Sequence, residues 1–369
     1  MAEFTLDEEQ QQIQDMMRKF AQNELRRIAR ECDEEDKLPP ELLGKVWELG
    51  FTHNAIEEKY GGYELGRSAV TSAIAVEELA WGDVSLAIGC LSPMTMMVPI
   101  LEFGTDEQKE EWLPKFCGES FYPATAALME PRVTFDPIAL HTTVEMSGDA
   151  LILNGKKCMV PLAESAEQIL VYATTARGAG PGSIEAIVVD RNTPGLEVGA
   201  REKNMGLRPL PLYPVTLTNC EVPRARRLGG DRGINYMRLL NLSRANLCAM
   251  AVGVARASNE YAIGYAKERV AFGEPIASRQ TIAFMLAESA MEVDGMRLLA
   301  WRAAWRLDRH EDATRDAALA KMYCAEQTMK VVDYGVQVLG GHGYIREHPV
   351  EMWFRNGRGF APMEGLAIG

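Results

Sequence analysis

The residues best equipped for chemistry lie near the C-terminal end of the chain. Gln337 sits on an apolar, helix-like run closed by Gly340, Gly341 and Gly343; Arg355 and Arg358 follow, and a single carboxylate, Glu364, precedes Gly365. Each type suits a definite task. Glycine lets a backbone approach a ligand closely, arginine offers a fixed fork of donors to a phosphate, and a desolvated carboxylate can take a proton from carbon. Upstream stand Arg269, Phe272, Gly273, Pro275, Ile276 and Gln280, and before them Arg244 in the run NLSRANLCAMAVG. The Gly340–Gly343 run follows a helix and not a strand, so it is no βαβ dinucleotide fingerprint.

In this order the pieces resemble the acyl-CoA dehydrogenase family. QVLGGHGY is similar to its Q-x-L-G-G-x-G-Y, Arg355 and Arg358 to its R-x-x-R, and Glu364–Gly365 to its acidic base followed by glycine, with the family's separation of 27 between Gln337 and Glu364. Arg269 to Gln280 resembles R-x-x-F-G-x-x-I-x-x-x-Q, and IEEKYGG at 56–62 resembles I-P-E-E-Y-G-G. The resemblance covers nearly the whole chain. It implies FAD as cofactor, an acyl-CoA or acyl-carrier-protein thioester as substrate, α,β-desaturation with hydride transfer to the flavin, and an electron-transferring flavoprotein as its oxidant. It makes Glu364 the general base and places Arg269, Phe272, Gln280, Gln337, Gly340 and Gly341 on the ADP half of an FAD held by a neighbouring subunit. Phe135, Arg244 and Gly365 become substrate contacts. Some relatives carry the base one residue before the arginine equivalent to Arg244; Ser243 here leaves Glu364 without a rival.

The departures concern the flavin ring. Where the family carries T-E-P-x-A-G-S-D, this chain reads Met129-Glu130-Pro131-Arg132-Val133-Thr134-Phe135-Asp136, and where it carries W-I-T-N, this chain reads Met159-Val160-Pro161-Leu162. Leu366 and Ile368 stand at positions usually Thr and Gln. Ring contacts expected at Leu128, Met129, Met159 and Pro161 then rest on backbone groups at 128–130 and 160–161, except that Pro161 has no N–H. Phe135, where a small residue is usual, implies a changed acyl or pantetheine channel. Three readings stay open: a homo-oligomeric dehydrogenase, one chain of a mixed oligomer lending its ADP clamp, or a thioester-binding scaffold without activity.

The elements that must position these residues show as a change of texture. Helical periodicity runs to about 118, with a capping box at Thr5 and Glu8, a helix opened by Pro39 and Pro40, and apolar helices at 68–80 and 84–101. Short β-rich runs follow at 142–153, 169–173, 185–189 and 215–222, punctuated by glycine and proline. Long helices then fall at 231–267, 275–309 and 312–340. The expected fold is α+β and acyl-CoA dehydrogenase-like: an N-terminal helical domain (1–119), a central β-barrel-like domain (120–228) and a C-terminal four-helix bundle (229–369). A net charge of −13 disfavours nucleic acid or an anionic membrane as partner. Seven scattered cysteines and five histidines without ligand spacing suggest neither disulfides nor a metal. The acidic N-terminal segment is not a signal peptide, and Leu86–Leu101 is too interrupted to span a bilayer. The expectation is a cytoplasmic homotetramer or dimer, possibly a hetero-oligomer.

Overall fold

The structure, a computed structural model, describes residues 5–366; Ile368 and the first four residues of the acidic N-terminal segment lie outside the described residues. Helix α1 (Glu8–Phe20) starts at Asp7, whose carboxylate accepts from the Gln10 N–H while the Gln10 side chain accepts from the Asp7 N–H. The capping box thus lies two residues beyond Thr5, because aspartate caps at least as well as threonine. A wider π-helical stretch, Ala21–Arg26, leads into α2 (Ala29–Glu35), followed by α3 (Pro40–Trp47) and α4 (Phe51–Ala55).

The expected break between the two apolar helices is present at Asp83, and a second, unexpected one falls at Ser92 and Pro93. Helix α5 runs Ala69–Leu91 and α6 Met94–Phe103. Inside α5, Asp83 is extended (φ −163°, ψ 127°), and its carboxylate accepts from the N–H groups of Ser85 and Leu86 at 2.8 and 2.9 Å. It caps a second helical segment from within. Met94, Met96 and Met97 are buried core residues. Helix α7 (Asp106–Trp112) has the reciprocal Thr105–Gln108 cap.

The middle region is one sheet of β1 (Ala124–Ala127), β2 (Thr143–Ser147), β3 (Ala150–Pro161), β4 (Gln168–Thr174), β5 (Ile184–Asp190), β6 (Leu196–Val198) and β7 (Leu212–Pro223), ordered β1-β4-β2-β3-β7-β6 with β5 on β4. The β2–β3 hairpin turns at Gly148 as expected (φ +60°). The sheet encloses its own apolar core, including Leu153, Val171 and Val215.

Next comes α8 (Tyr236–Glu268), which starts later than periodicity suggests because Gly229, Gly230 and Gly233 all adopt positive φ. A small hairpin, β8 (Val270–Ala271) and β9 (Glu274–Pro275), leads to α9 (Gln280–Asp308), α10 (Thr314–Leu339), α11 (Gly341–Tyr344) and α12 (Val350–Gly357). Helices α8, α9 and α10 pack together, and the shorter α12 lies on α8 and α10 as the fourth member. Among the described residues no single helix is long and apolar enough to cross a membrane.

Helix α5 leaves its own region and crosses α8. At the crossing, a Cβ on Gly253 would fall 2.3 Å from the Glu77 carbonyl oxygen, so the two backbones nearly touch. Beside it, Arg256 donates to Glu77 at 2.7 Å and to Glu78, Arg297 of α9 donates to Glu77 at 3.0 Å, and Arg18 of α1 donates to Glu78 at 2.9 Å. Burial would raise the Glu78 carboxyl, but hydrogen bonds from Arg256 and Arg18 outweigh it and hold the group below the usual carboxylate range. A lowered carboxylate contributes stability that is complete above its unfolded value of about 4.5 and is lost as pH falls through the lower folded one. Arg256→Met leaves two buried carboxylates short of a partner and should lower stability at neutral pH by about 3–5 kcal/mol in a denaturant titration. Arg18→Met, removing a half-exposed partner, should cost about 1 kcal/mol or less. Equal losses in the two variants would show that the crossing does not depend on this network.

Candidate active site

Glu364 follows the turn Arg358–Phe360 and is 8% exposed. Both its oxygens face Arg244 of α8: Nε lies 3.2 Å from each, and Nη2 lies 3.0 Å from Oε1. A second cation, Lys321 of α10, stands 3.8 Å from Oε1 and donates to the Ala361 carbonyl at 3.3 Å. Ser243 is fully buried, and its hydroxyl has no hydrogen-bond partner among the described residues.

Gly365 sets the distance to the β region. Its φ is +73°, and a Cβ there would sit 2.6 Å from Leu128 Cδ2. Glu364 is thereby pressed against the segment joining β1 to β2, which has its own anchor. Lys157 of β3, wholly buried, donates to the Leu128 carbonyl at 3.0 Å and to Glu130 Oε1 at 3.2 Å. Glu130 also accepts the N–H groups of His141 and Thr142 at 2.8 and 2.7 Å. Burial pushes the Lys157 ammonium down to about 8 while Glu130 opposes the shift. Burial would likewise raise Glu130, but Lys157 and the two N–H groups keep it low. Phe135 packs against the helical core, with the Arg132 guanidinium 6.0 Å from its ring centre.

Tyr236, first residue of α8, donates to the Pro137 carbonyl at 2.7 Å. Burial raises its hydroxyl well above the usual value, with Tyr172, Glu364 and Asp136 raising it further and Arg244 opposing them. A groove of about 820 Å³ runs outward from Tyr236, walled by Phe103, Pro181, Gly182, Lys109, Arg232 and the α8 N-cap Asn235. The basic run after Pro223 is committed elsewhere: Arg224 pairs with Asp231, Arg226 with Glu111 and Asp190, and Arg227 with Glu185.

The end of β3 is strained and self-satisfied. Met159 and Leu162 both hold φ of +52°, a region side chains rarely adopt. The Met159 N–H donates to Glu202 Oε1 at 3.1 Å, the Leu162 N–H donates to the Pro211 carbonyl at 2.9 Å, and Pro161 has none. Three of the four positions 159–162 therefore have no N–H to give a ligand. The Met129 carbonyl accepts from the Cys158 N–H at 2.9 Å, which ties the two ring-facing segments together.

The remaining predicted residues gather at the other end of α8. Arg269 caps that helix, Phe272 is 94% exposed at the tip of the β8–β9 hairpin, and Gln280 opens α9. Gln337, Gly340 and Gly341 join α10 to α11, and the Tyr265 hydroxyl, one turn before Arg269, bonds His342 Nδ1 at 2.7 Å. His348 bonds the Tyr261 hydroxyl in the same way at 2.7 Å. Arg355 is not at this end; it donates to Asp33 of α2 at 2.9 and 2.6 Å and ties the N-terminal helices to α12, while Arg358 is exposed. Arg244 and Arg269 are 25 residues apart on one helix, which is about 37 Å at 1.5 Å per residue. One chain thus carries two half-sites that do not meet.

Sequence reasoning missed Lys321, Lys157 and Tyr236. Lys321 had a visible signal, since it interrupts the buried stripe Ala317, Ala320, Cys324 and Thr328 of α10. Lys157 lies beside a β-bulge that disturbs the strand's alternation, so its inward direction was hidden.

Comparison with known proteins identifies the family. The chain matches the N-terminal, middle and C-terminal domains of acyl-CoA dehydrogenases over residues 7–120, 125–220 and 231–367. Cyclohex-1-ene-1-carbonyl-CoA dehydrogenase of Geobacter metallireducens is 35% identical over 356 residues, 96% of this chain and 93% of that protein. The chain belongs to the acyl-CoA dehydrogenase family. Butyryl-CoA dehydrogenase from Megasphaera elsdenii superposes on it with a TM-score of 0.88 at 30% identity, covering 97% of this chain and 95% of that one. The prolyl acyl carrier protein oxidase AnaB superposes at 0.87 and 28% identity, covering 96% and 95%. As an acyl-CoA dehydrogenase the protein is an oxidoreductase acting on CH–CH bonds of acyl thioesters, with FAD as cofactor.

The residues of this acyl-CoA dehydrogenase fit FAD unevenly. At the α10–α11 turn, no atom comes within 4 Å of a Cβ added to Gly340 or Gly341, so a phosphate has open backbone to approach beside exposed Arg269, Gln280 and Gln337. At Met159–Leu162 the donors are spent. The junction of Gly365 with Leu128 also yields a test. Gly365→Ala combines a left-handed φ with a clash against the Leu128 side chain, 2.6 Å from Cδ2 and 3.0 Å from Cβ, and should lower stability by about 1–3 kcal/mol and activity by about tenfold or more. Unchanged melting and turnover would show that Glu364 does not depend on this contact.

Proposed function

We propose that the chain is a subunit of an oligomeric acyl-CoA dehydrogenase in which Glu364 takes the α-proton of an acyl-CoA thioester. The observation that carries this reading is a buried carboxylate, backed by two cations, on a segment whose next residue, Gly365, packs closely on Leu128. FAD, when bound, accepts the hydride that leaves the β-carbon. The chain's own residues do the rest. The groove admits the pantetheine arm and leaves the nucleotide phosphates beside Lys109, Arg232 and the N-terminus of the 33-residue helix α8. The Glu364 backbone N–H polarises the thioester carbonyl and so acidifies the α-carbon. Burial keeps water from competing for the proton. Phe135, Arg244 and Gly365 wall the acyl end.

Two half-sites about 37 Å apart on α8 support an assembly in which the ADP clamp of one subunit serves the flavin of another. Exposed Phe284, Met291 and Leu298, seven residues apart on α9, form an apolar stripe for a second copy to cover. We favour a homotetramer or dimer, with an electron-transferring flavoprotein as electron acceptor. The spent donors at Met159, Pro161 and Leu162 favour a second reading, in which a different chain of the same fold holds the flavin ring and this one lends its clamp.

Visible absorption of the chain expressed alone separates the two. A yellow protein bleached anaerobically by one of a panel of acyl-CoAs supports the first; a colourless protein that takes up no added FAD supports the second. In the yellow protein, Glu364→Gln should retain flavin and slow bleaching by about 10²–10⁴-fold. Bleaching at the native rate would remove Glu364 from the mechanism.

A further inference from the structure

Lys321 is a lysine in an unfavourable place. It lies on the buried face of α10, and none of the residues singled out in the sequence needs it there. Taking an ammonium out of water is costly unless its partners compensate, and an apolar side chain of the same length would fill this position without that cost. Its contacts are specific. Nζ donates to the Ala361 carbonyl at 3.3 Å and faces Glu364 Oε1 at 3.8 Å. Ala361 and Glu364 belong to one short segment after the Arg358–Phe360 turn, tied to it by the Met363 N–H donating to the Gly359 carbonyl at 3.1 Å. Arg244 grips Glu364 from α8, on the other side.

We propose that Lys321 is a positioning residue for Glu364: its ammonium brackets the 361–364 segment, holding the main chain at Ala361 and the carboxylate at Oε1. Arg244 alone would draw the carboxylate toward α8, since a bidentate guanidinium satisfies both oxygens. The pull from α10 balances that grip and keeps the base between the two helices. The proposal rests on Glu364 being the base.

The bracket has a pH signature. Burial lowers the Lys321 ammonium, Glu364 and then Cys248 on α8 work against that, Arg244 lowers it further, and Cys324 on α10 raises it. As pH rises, Lys321 therefore loses its proton before an exposed lysine would, and the bracket loosens on the alkaline side. An arginine at 321 keeps its charge throughout.

The test compares Lys321→Met and Lys321→Arg in the flavin-loaded protein, following flavin bleaching by a saturating acyl-CoA from pH 6 to 10, with Glu364→Gln alongside. Lys321→Met should lower kcat about tenfold or more and change KM by no more than about twofold. Lys321→Arg should recover much of the rate and move the alkaline limb up by about one pH unit or more. If Lys321→Met fails to fold, the alkaline limb of Lys321→Arg decides alone. A limb unmoved by Lys321→Arg, or native turnover in Lys321→Met, overturns the proposal. If Glu364→Gln is inactive while both Lys321 variants behave as wild type, only the bracket fails. If Glu364→Gln is active, the reading beneath it fails as well.

Discussion

The close approach of α5 to α8 at Gly253 is the constraint on which the rest of the molecule depends. A helix crossing with no room for one Cβ fixes both the angle and the axial register of the two helices. Helix α5 is the spine of the N-terminal region, and α8 carries Arg244. Fixing one against the other fixes where Glu364 finds its guanidinium partner. Glu77 and Glu78 lock the register from three directions, since α1, α8 and α9 each contribute an arginine to them. Apolar packing alone tolerates small slides along a helix. A hydrogen-bonded guanidinium does not, because a slide of one residue leaves a buried carboxylate unpaired.

The same device recurs at each joint between regions. Glu130 and Lys157 fasten the loop after β1 to β3. Asp33 fastens α2 to α12 through Arg355. Arg244, Glu364 and Lys321 close the joint of α8, α10 and the segment leading to Leu128. In all three the carboxylate oxygens accept from charged donors, and in two of them a further cation pulls from 3.8 Å: Arg30 on Asp33 and Lys321 on Glu364. Each joint therefore joins its elements through a carboxylate shared between more than one of them.

How much of this the sequence carried depended on the range of the physics involved. Local chemistry was legible. The Thr105 cap, the Gly148 hairpin and the three long C-terminal helices follow from spacing within a few residues. The ordering of Gln337, Arg355 and Glu364 pointed to the family because three unlikely features stood in sequence. Arg355 then turned out to hold Asp33, a partner 322 residues away that no local pattern announces. The break at Asp83 was legible, since the two apolar runs were expected to part between residues 80 and 84, whereas the break at Ser92 and Pro93 falls inside a run that reads as one helix. Short strands β1 and β6, four and three residues long, are set by their neighbours rather than by their own pattern. Lys321 and Lys157 were overlooked for a common reason. A lysine is exposed by default, and only the fold reveals which carbonyl or carboxylate draws it inward.

Helix α8 also acts as a ruler, and this bears on the altered flavin-ring residues. One helix carries Arg244 near its start and Arg269 at its end, about 37 Å apart. A single dinucleotide cannot bridge that length along one chain, so in the assembly proposed above the two ends serve different cofactor molecules. Substitutions at the ring end, such as Met159 and Pro161, leave the clamp at the far end untouched, because the two share no contacts and no loop. The clamp positions in this chain match the family pattern, while β3 has turned its N–H groups inward to Glu202 and Pro211. In an assembly that splits each cofactor between two subunits, a chain can change its grip on the ring and still hold the ADP end for its neighbour. The length of α8 is what makes those two changes independent.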